Sequence, residues 1–452
     1  MKSVFVVGAG PAGLFAAQKI ALAGHEVAVF NRDIKPGGLA EYGIYPVKDK
    51  MKFGLRKQFA KVLSLPNVHY FGHIPVGSGY SMEIEELRQF GPSAMVFAVG
   101  AQGTKKLGLP GEEARGVYSA KDFVYHYNLL PPFASQDFST GKRVAVVGMG
   151  NVMVDIARWL LQDDPNRTTE EVIVIARRGP FEAKFDDKEF EHIQMHLDRR
   201  EFEDELKRVQ SSLQAVGQDV SRVTEETFAI LKKYPEDGGT QPRLTFKFLC
   251  SPNEIHAGPD GRISRLTVTE NLLVARNGST AAKATDRTFD LDVDTMIFAI
   301  GDVHDPKLGL PCGPDGYITQ VDANDPKRPV YEVLDPERGS LIEGTYVVGW
   351  ARKASEGLVG IARHDGEVGA AEVLKYLERV PERMHGSSED IVRYLGQRGI
   401  EAVDKEGLSY LARAEQFQAQ QRNMAYFKFG DDAEMLRAIE HERSRAVITT
   451  AA

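Results

Sequence analysis

Val4-Phe5-Val6-Val7-Gly8-Ala9-Gly10-Pro11-Ala12-Gly13 is the stretch that decides the fold. A short apolar run leads without a spacer into G-x-G-x-x-G, and a pattern of Ala, Leu and Ile at helical spacing follows over residues 12–23 and stops at Gly24. In this order of strand, glycine turn and helix each glycine has a task. Gly8 permits the tight turn, Gly10 lets a pyrophosphate approach the backbone, and Gly13 lets the helix pack closely on the sheet. Pro11 and Ala12 open the helix, whose free N–H groups and positive dipole end suit an anion. The next strand, Val27-Ala28-Val29-Phe30, ends where an acid would hold ribose hydroxyls, but Asn31 stands there, followed by Arg32 and Asp33. The amide oxygen of asparagine still accepts a hydrogen bond, with less charge assistance.

The same order returns at 144–176. Val144-Ala145-Val146-Val147 runs into Gly148-Met149-Gly150-Asn151-Val152-Met153, so the third small residue is a methionine and the helix must open slightly or turn that side chain aside. After Val172-Ile173-Val174-Ile175-Ala176 the sequence places Arg177-Arg178 instead of an acid. Two guanidinium groups at that strand end suit a 2′-phosphate, which favours NADP over NAD. Buried-strand patterns ending in glycine, Met95 to Gly100 and Met296 to Gly301, follow the two units. Strands alternating with helices predict an α/β fold of two interleaved Rossmann-like domains with parallel sheets. Two sites divide the labour: one holds a flavin permanently, the other admits a nicotinamide that comes and goes.

The bulk properties narrow the class. A length of 452 residues suits two or three domains, and a net charge of −8 disfavours nucleic acid and anionic membrane as partners. No apolar run reaches the roughly 18 residues of a membrane span, and the chain opens on a strand-like run with no signal segment before it. Two cysteines, Cys250 and Cys312, lie far apart, which suits a reducing cytoplasm and leaves neither a C-x-x-C redox pair nor ligands for an iron–sulfur cluster. The redox centre must therefore be an organic cofactor. The eleven histidines are scattered, and His192 with His196 lacks a third ligand, so no metal site is expected.

These residues together resemble the adrenodoxin reductase-like ferredoxin–NADP(+) reductases, and more distantly the small subunit of glutamate synthase. The FAD half of the resemblance lies in Val6 to Leu14, in Pro36-Gly37-Gly38-Leu39, and in Ala98-Val99-Gly100-Ala101 followed by Leu109-Pro110-Gly111-Glu112. The NADP half lies in Gly150 to Arg158 and in Ala176 to Pro180; Gly349-Trp350 followed by Gly357-Leu358-Val359-Gly360 is the most specific match. Phe427-Lys428-Phe429 with Glu434-Met435-Leu436 looks like the family's closing segment. The resemblance implies an FAD domain of residues 1–107 and 305–452, with 380–452 a helical C-terminal extension, and an NADP domain of 108–304. It implies that Arg32, Gly38, Leu39, Ile74 and Gly100 line the FAD site. Gly349, Trp350 and the backbone of Gly357, Leu358 and Val359 would lie against the flavin where hydride transfer occurs. Met149, Gly150, Asn151, Val152, Arg177, Arg178 and Glu189 would contact NADPH, and Asp155 matches an acid that handles protons near the nicotinamide.

Two departures stand out. Where adrenodoxin reductase-type members carry a histidine after Gly43, Lys48 stands in Pro46-Val47-Lys48-Asp49; it can stabilise negative charge on the reduced ring but is a poorer proton shuttle near neutral pH. Residues 186–208, where family members dock acidic iron–sulfur proteins with basic residues, carry nine acidic residues against five basic. The expected activity is transfer of hydride from NADPH to FAD and then of electrons to a ferredoxin-like iron–sulfur protein. A subunit working inside a larger complex, or a flavoprotein reducing a small organic substrate directly, are the alternatives; the oligomeric state is open.

Overall fold

Strand β1 (Ser3–Val7) is buried along its whole length, as a strand covered on both faces must be. Val4 and Val6 point into one apolar cluster with Leu14, Ala17 and Ile20 of helix α1 (Pro11–Leu22). Phe5 and Val7 point into the other, where the rings of Phe5 and Phe30 lie 5.2 Å apart. Alternation along one strand thus builds two cores. The computed structural model describes the chain apart from residues 234–240, 314–315, 321–324, 326–328, 353–358, 383–385 and 452, and the side chains of 449–451.

The chain divides into two compact units. The first comprises Met1–Thr104, Tyr125–Gln136 and Gly301–Ala452. In it β1, β2 (Glu26–Phe30), β3 (Val68–Phe71) and β4 (Ala94–Phe97) are parallel in the spatial order β3-β2-β1-β4. Ser340–Val347 continues the sheet parallel to β4, and Glu332–Asp335 closes the edge antiparallel. Helices α2 (Leu39–Tyr42) and α3 (Asp49–Leu63) lie between β2 and β3. Helix Val359–Arg379 lies so close to α1 that a Cβ on Gly366 would sit 2.2 Å from the Ala12 carbonyl oxygen.

The second unit is Lys105–Val124 and Asp137–Ile300. Strands β5 (Val117–Ser119), β6 (Arg143–Val147), β7 (Glu171–Ile175) and β8 (Arg243–Lys247) belong to a fully parallel sheet; helix α4 (Asn151–Arg158) follows β6. Strands β9 (Cys250–Ala257), β10 (Ile263–Arg276) and β11 (Ser279–Asp292) form a separate antiparallel sheet, after which β12 (Thr295–Phe298) returns to the parallel one. The parallel order is β5-β12-β6-β7-β8. In both units the strand that precedes the glycine turn sits where strand order reverses, the place where α/β sheets bind ligands. No helix among the described residues is long and apolar enough to cross a membrane.

A buried ionic cluster, which no sequence pattern announces, fastens α2. The Glu41 carboxylate accepts from Arg56 of α3 at 2.7 and 2.8 Å and pairs with Lys428 Nζ at 2.8 Å. Lys428 also donates to the carbonyls of Glu41 (3.2 Å) and Asn128 (3.1 Å) and stands 4.4 Å from the Tyr42 ring centre. Lys52 Nζ donates to Asn128 Oδ1 at 2.8 Å, and Lys35 Nζ to Glu415 at 2.6 Å and to the Tyr426 hydroxyl at 2.9 Å. The Arg56 guanidinium covers the Tyr426 ring at 4.0 Å. Removing one member of such a buried pair costs about 3–5 kcal/mol, because the other charge is left uncompensated.

Burial pulls against these charges. It would raise the Glu41 carboxyl, yet Lys428, Lys35 and Arg56 together hold it well below the usual carboxylate range. Burial lowers Lys428 to about 8 despite Glu41, and burial with the nearby Lys428 lowers Lys52 to about 7. In the unfolded chain a lysine titrates near about 10.4. Above about pH 7 the folded chain has therefore released a proton that the unfolded chain still binds, so Lys52 makes stability rise with pH up to about 10. Lys52→Met is expected to lose this slope: between pH 7 and pH 9 the wild type should gain on the variant in unfolding midpoint. A constant difference across that range would contradict the assignment.

Candidate functional site

The first glycine loop is built by the end of β1. Gly8 takes φ +105°, and a Cβ there would lie 2.5 Å from the Ala98 carbonyl oxygen. At Gly13 a Cβ would lie 1.9 Å from the Gly8 oxygen, so only glycine lets α1 start this close. A Cβ on Gly10 would meet nothing within 4 Å, and Gly10 is the N-cap of α1, whose leading amides have no partner within the helix. Gly38, at φ +50°, lies over the loop, with its Cβ position 3.3 Å from Gly10 Cα, and the Gly37 N–H donates to the Ala9 carbonyl at 2.7 Å. Residues 37–38 are thus a strap across the cradle, and the Glu41 cluster holds the helix that follows it.

Asn31 is engaged within the chain. It is buried, its Oδ1 accepts from the Ala9 N–H at 3.0 Å, and its Nδ2 donates to the carbonyls of Asp33 and Lys35. The amide braces the glycine loop from behind. Arg32 is the residue that reaches outward: its guanidinium pairs with Asp33 at 2.8 Å and donates to Gln102 Oε1 at 2.9 Å. Gly100, at φ +71°, lies at the carboxyl end of β4. Ile74 is buried, its N–H donating to the Asn31 carbonyl at 2.8 Å, and Leu39 packs with Tyr42, Tyr125 and Leu130.

Gly349 comes to the same cradle. At φ +66° its Cβ position is 2.6 Å from Ala12 Cβ, and its N–H donates to Asp365 at 2.5 Å. Asp365 also pairs with Arg352 and accepts from the Tyr331 hydroxyl at 3.2 Å. His304, which burial keeps below its ordinary pKa, donates Nε2–H to the Trp350 carbonyl at 2.8 Å. The half-buried Trp350 is therefore held through its backbone. Val359 begins the helix that follows, Lys48 sits half-buried at the N-cap of α3, and Gly357 and Leu358 lie outside the described residues.

The second loop repeats the design. Gly148, at φ +123°, would put a Cβ 2.2 Å from the Ala299 carbonyl oxygen, while a Cβ on Gly150 would again meet nothing within 4 Å. Met153 is fully buried, its side chain turned into the core. The Met149 carbonyl accepts from the Lys184 N–H at 2.9 Å and Asn151 Oδ1 from the Asp186 N–H at 2.8 Å, so residues 184–186 border this cradle. Val152 is exposed, and Asp155, one turn on, is half-buried. Arg178 donates to the Thr280 carbonyl at 3.4 Å; Arg177 is exposed and its guanidinium makes no hydrogen bond or ion pair among the described residues. Glu189 is half-buried on the short helix Asp187–Phe190. Asp365, His304 and the Glu41 cluster escaped sequence reasoning, since each acts through partners outside its own motif, from 13 residues away for Asp365 and Arg352 to 387 for Glu41 and Lys428.

Comparison with known proteins agrees with this geometry. The family model for pyridine nucleotide-disulphide oxidoreductase matches residues 2–228. NADPH-ferredoxin reductase FprA of Mycobacterium leprae is 31% identical over 80% of this chain and 81% of its own. The mitochondrial NADPH:adrenodoxin oxidoreductase of Bos taurus is 27% identical over 97% of this chain and 92% of its own. Among solved structures, Mycobacterium tuberculosis FprA in complex with NADPH superposes with a TM-score of 0.82 at 27% identity, covering 97% of this chain and 99% of that one. Two glycine cradles at two switch points, a Gly-Trp motif docked on the first and an arginine pair at the second are the marks of one group: the chain belongs to the pyridine nucleotide-disulphide oxidoreductases, and within them to the adrenodoxin reductase-like ferredoxin–NADP(+) reductases.

Proposed function

We propose that the chain is an FAD-dependent reductase that takes hydride from NADPH and hands electrons to a ferredoxin-like iron–sulfur protein. The observation that carries the reading is the pair of cradles, each with open space at its central glycine, Gly10 and Gly150. FAD fits the first unit, because the strap at Gly37–Gly38 makes its cradle a site of permanent residence. NADPH fits the second unit, where Arg177 offers an unpaired guanidinium to a 2′-phosphate. When bound, FAD supplies the chemistry that the side chains lack, accepting a hydride and releasing electrons singly.

The protein's part is binding, orientation and proton handling. Gly8 shapes the turn and Pro11 opens the helix, Gly10, Ala12 and Gly13 present amides to the FAD pyrophosphate, Asn31 braces their loop, and Arg32 with Gly100 borders the adenosine end. Gly38, Leu39 and Ile74 enclose it, and Gly349, Trp350 and Val359 face the reactive end, with Gly357 and Leu358 assigned there by the family motif. Met149 to Val152 take the NADPH pyrophosphate, Arg177 and Arg178 the 2′-phosphate, and Glu189 the neighbouring ribose. Asp155 is assigned proton handling near the nicotinamide and Lys48 stabilisation of negative charge. Most of the catalytic gain comes from holding the reactants together. Two free cysteines, one buried and one exposed, support work in the reducing cytoplasm.

Arg177→Ala tests the assignment of the second cradle. A charge-assisted hydrogen bond is worth about 1.5–3 kcal/mol, so KM for NADPH should rise roughly ten- to a hundredfold with kcat little changed. KM for NADH should stay near the wild-type value. Equal losses with both nucleotides would contradict the role of Arg177.

A further inference from the structure

A ferredoxin reductase needs a protein acceptor, and the acidic stretch 186–208 repels an acidic one. Helix α3 offers the opposite surface. Residues 47–61 hold six basic residues (Lys48, Lys50, Lys52, Arg56, Lys57 and Lys61) against one acid, Asp49, in a chain of net charge −8. Lys50, Lys57 and Lys61 are exposed, and their ammonium groups make no hydrogen bond or ion pair among the described residues. Their spacing of seven and four sets all three on one helix face. Beside them stand large apolar side chains left in water: Val47 is 54%, Met51 55% and Phe53 39% exposed. The Phe53 ring meets Tyr426 at 5.9 Å, and Met424, two residues before Tyr426, is 51% exposed. Met and Phe ringed by cations are the anatomy of a protein interface, with an apolar centre for contact and a charged rim for steering.

We propose that this outer face of α3, centred on Lys50, Met51, Phe53 and Lys57, is the docking surface for an acidic iron–sulfur electron carrier; the proposal rests on the reductase reading above. Position favours it. The inner face of the same helix carries Lys52 and Arg56, which grip Asn128 and Glu41, so α3 backs directly onto the helix that follows the FAD strap. A carrier seated on α3 is separated from that strap layer by about one helix diameter, roughly 10 Å. The balance is one NADPH oxidised to NADP⁺ and H⁺ for every two carriers reduced by one electron each.

The test uses the full-length holoenzyme with NADPH and two acceptors, an acidic [2Fe–2S] ferredoxin and the small neutral quinone menadione. Lys50→Glu with Lys57→Glu should raise KM for ferredoxin about tenfold or more and flatten its dependence on salt. Menadione turnover and FAD content should stay at wild-type values. Lys50→Gln with Lys57→Gln should give a smaller rise in the same direction, and Met51→Ser should weaken ferredoxin binding without changing the salt slope. Ferredoxin kinetics within twofold of wild type for all three variants would overturn the proposal. So would a change of oligomeric state on charge reversal, which would make the face an interface between copies of this chain. A wild-type flavin that NADPH does not reduce would overturn the reductase reading itself, a result read before any variant is made.

Discussion

Glu41 is an acid buried among cations from three stretches of chain, and the first cradle depends on the contacts it makes. Arg56 reaches it from α3 and Lys428 from the C-terminal segment, while Lys35 and Lys52 stand close by. Four basic side chains facing the two acids Glu41 and Glu415 are an expensive arrangement to bury, which is why burial lowers Lys52 and Lys428, and their contacts fasten α2 in place. Because α2 begins directly after Gly38, fixing the helix also fixes the strap over Gly10. A cofactor held by backbone amides needs its loop held still, and here the holding is done by charge.

The two cradles share a backbone solution and differ in what surrounds it. Each has a central glycine open to a ligand and a first glycine jammed against a carbonyl of the neighbouring strand, Ala98 in one case and Ala299 in the other. Around the first, Gly37, Gly38 and Gly349 add layers, and Asp365 and His304 fix the Gly-Trp turn from two sides. Around the second the borders are residues 184–186 and an exposed arginine. The first design suits a group that stays and the second a group that exchanges, which is the division of labour that hydride transfer between two nucleotides requires.

Much of this was legible in the sequence because it is local. Strand, glycine turn and helix are written contiguously, so both cradles and both parallel sheets could be read from residues 4–30 and 144–176. The arginine pair at 177–178 could be read for the same reason. What escaped depended on long-range closure. The motif position marks Asn31 as a ribose ligand, and the fold adds what the motif does not say, that its amide oxygen accepts from the Ala9 N–H. Lys428 belonged to a recognisable closing segment, yet its partner Glu41 lies 387 residues away, beyond the reach of any motif. The basic face of α3 was hidden for a third reason: a run of lysines does not say which side chains point to water and which, like Lys52, point inward.

Anaerobic titration of the purified chain with NADPH, followed through the flavin absorbance, decides whether the two cradles work as one reductase. The expected result is about one FAD per chain as isolated, bleached by a single equivalent of NADPH with no other protein present. A chain isolated without flavin, or a bound flavin that keeps its colour under excess NADPH, would contradict it.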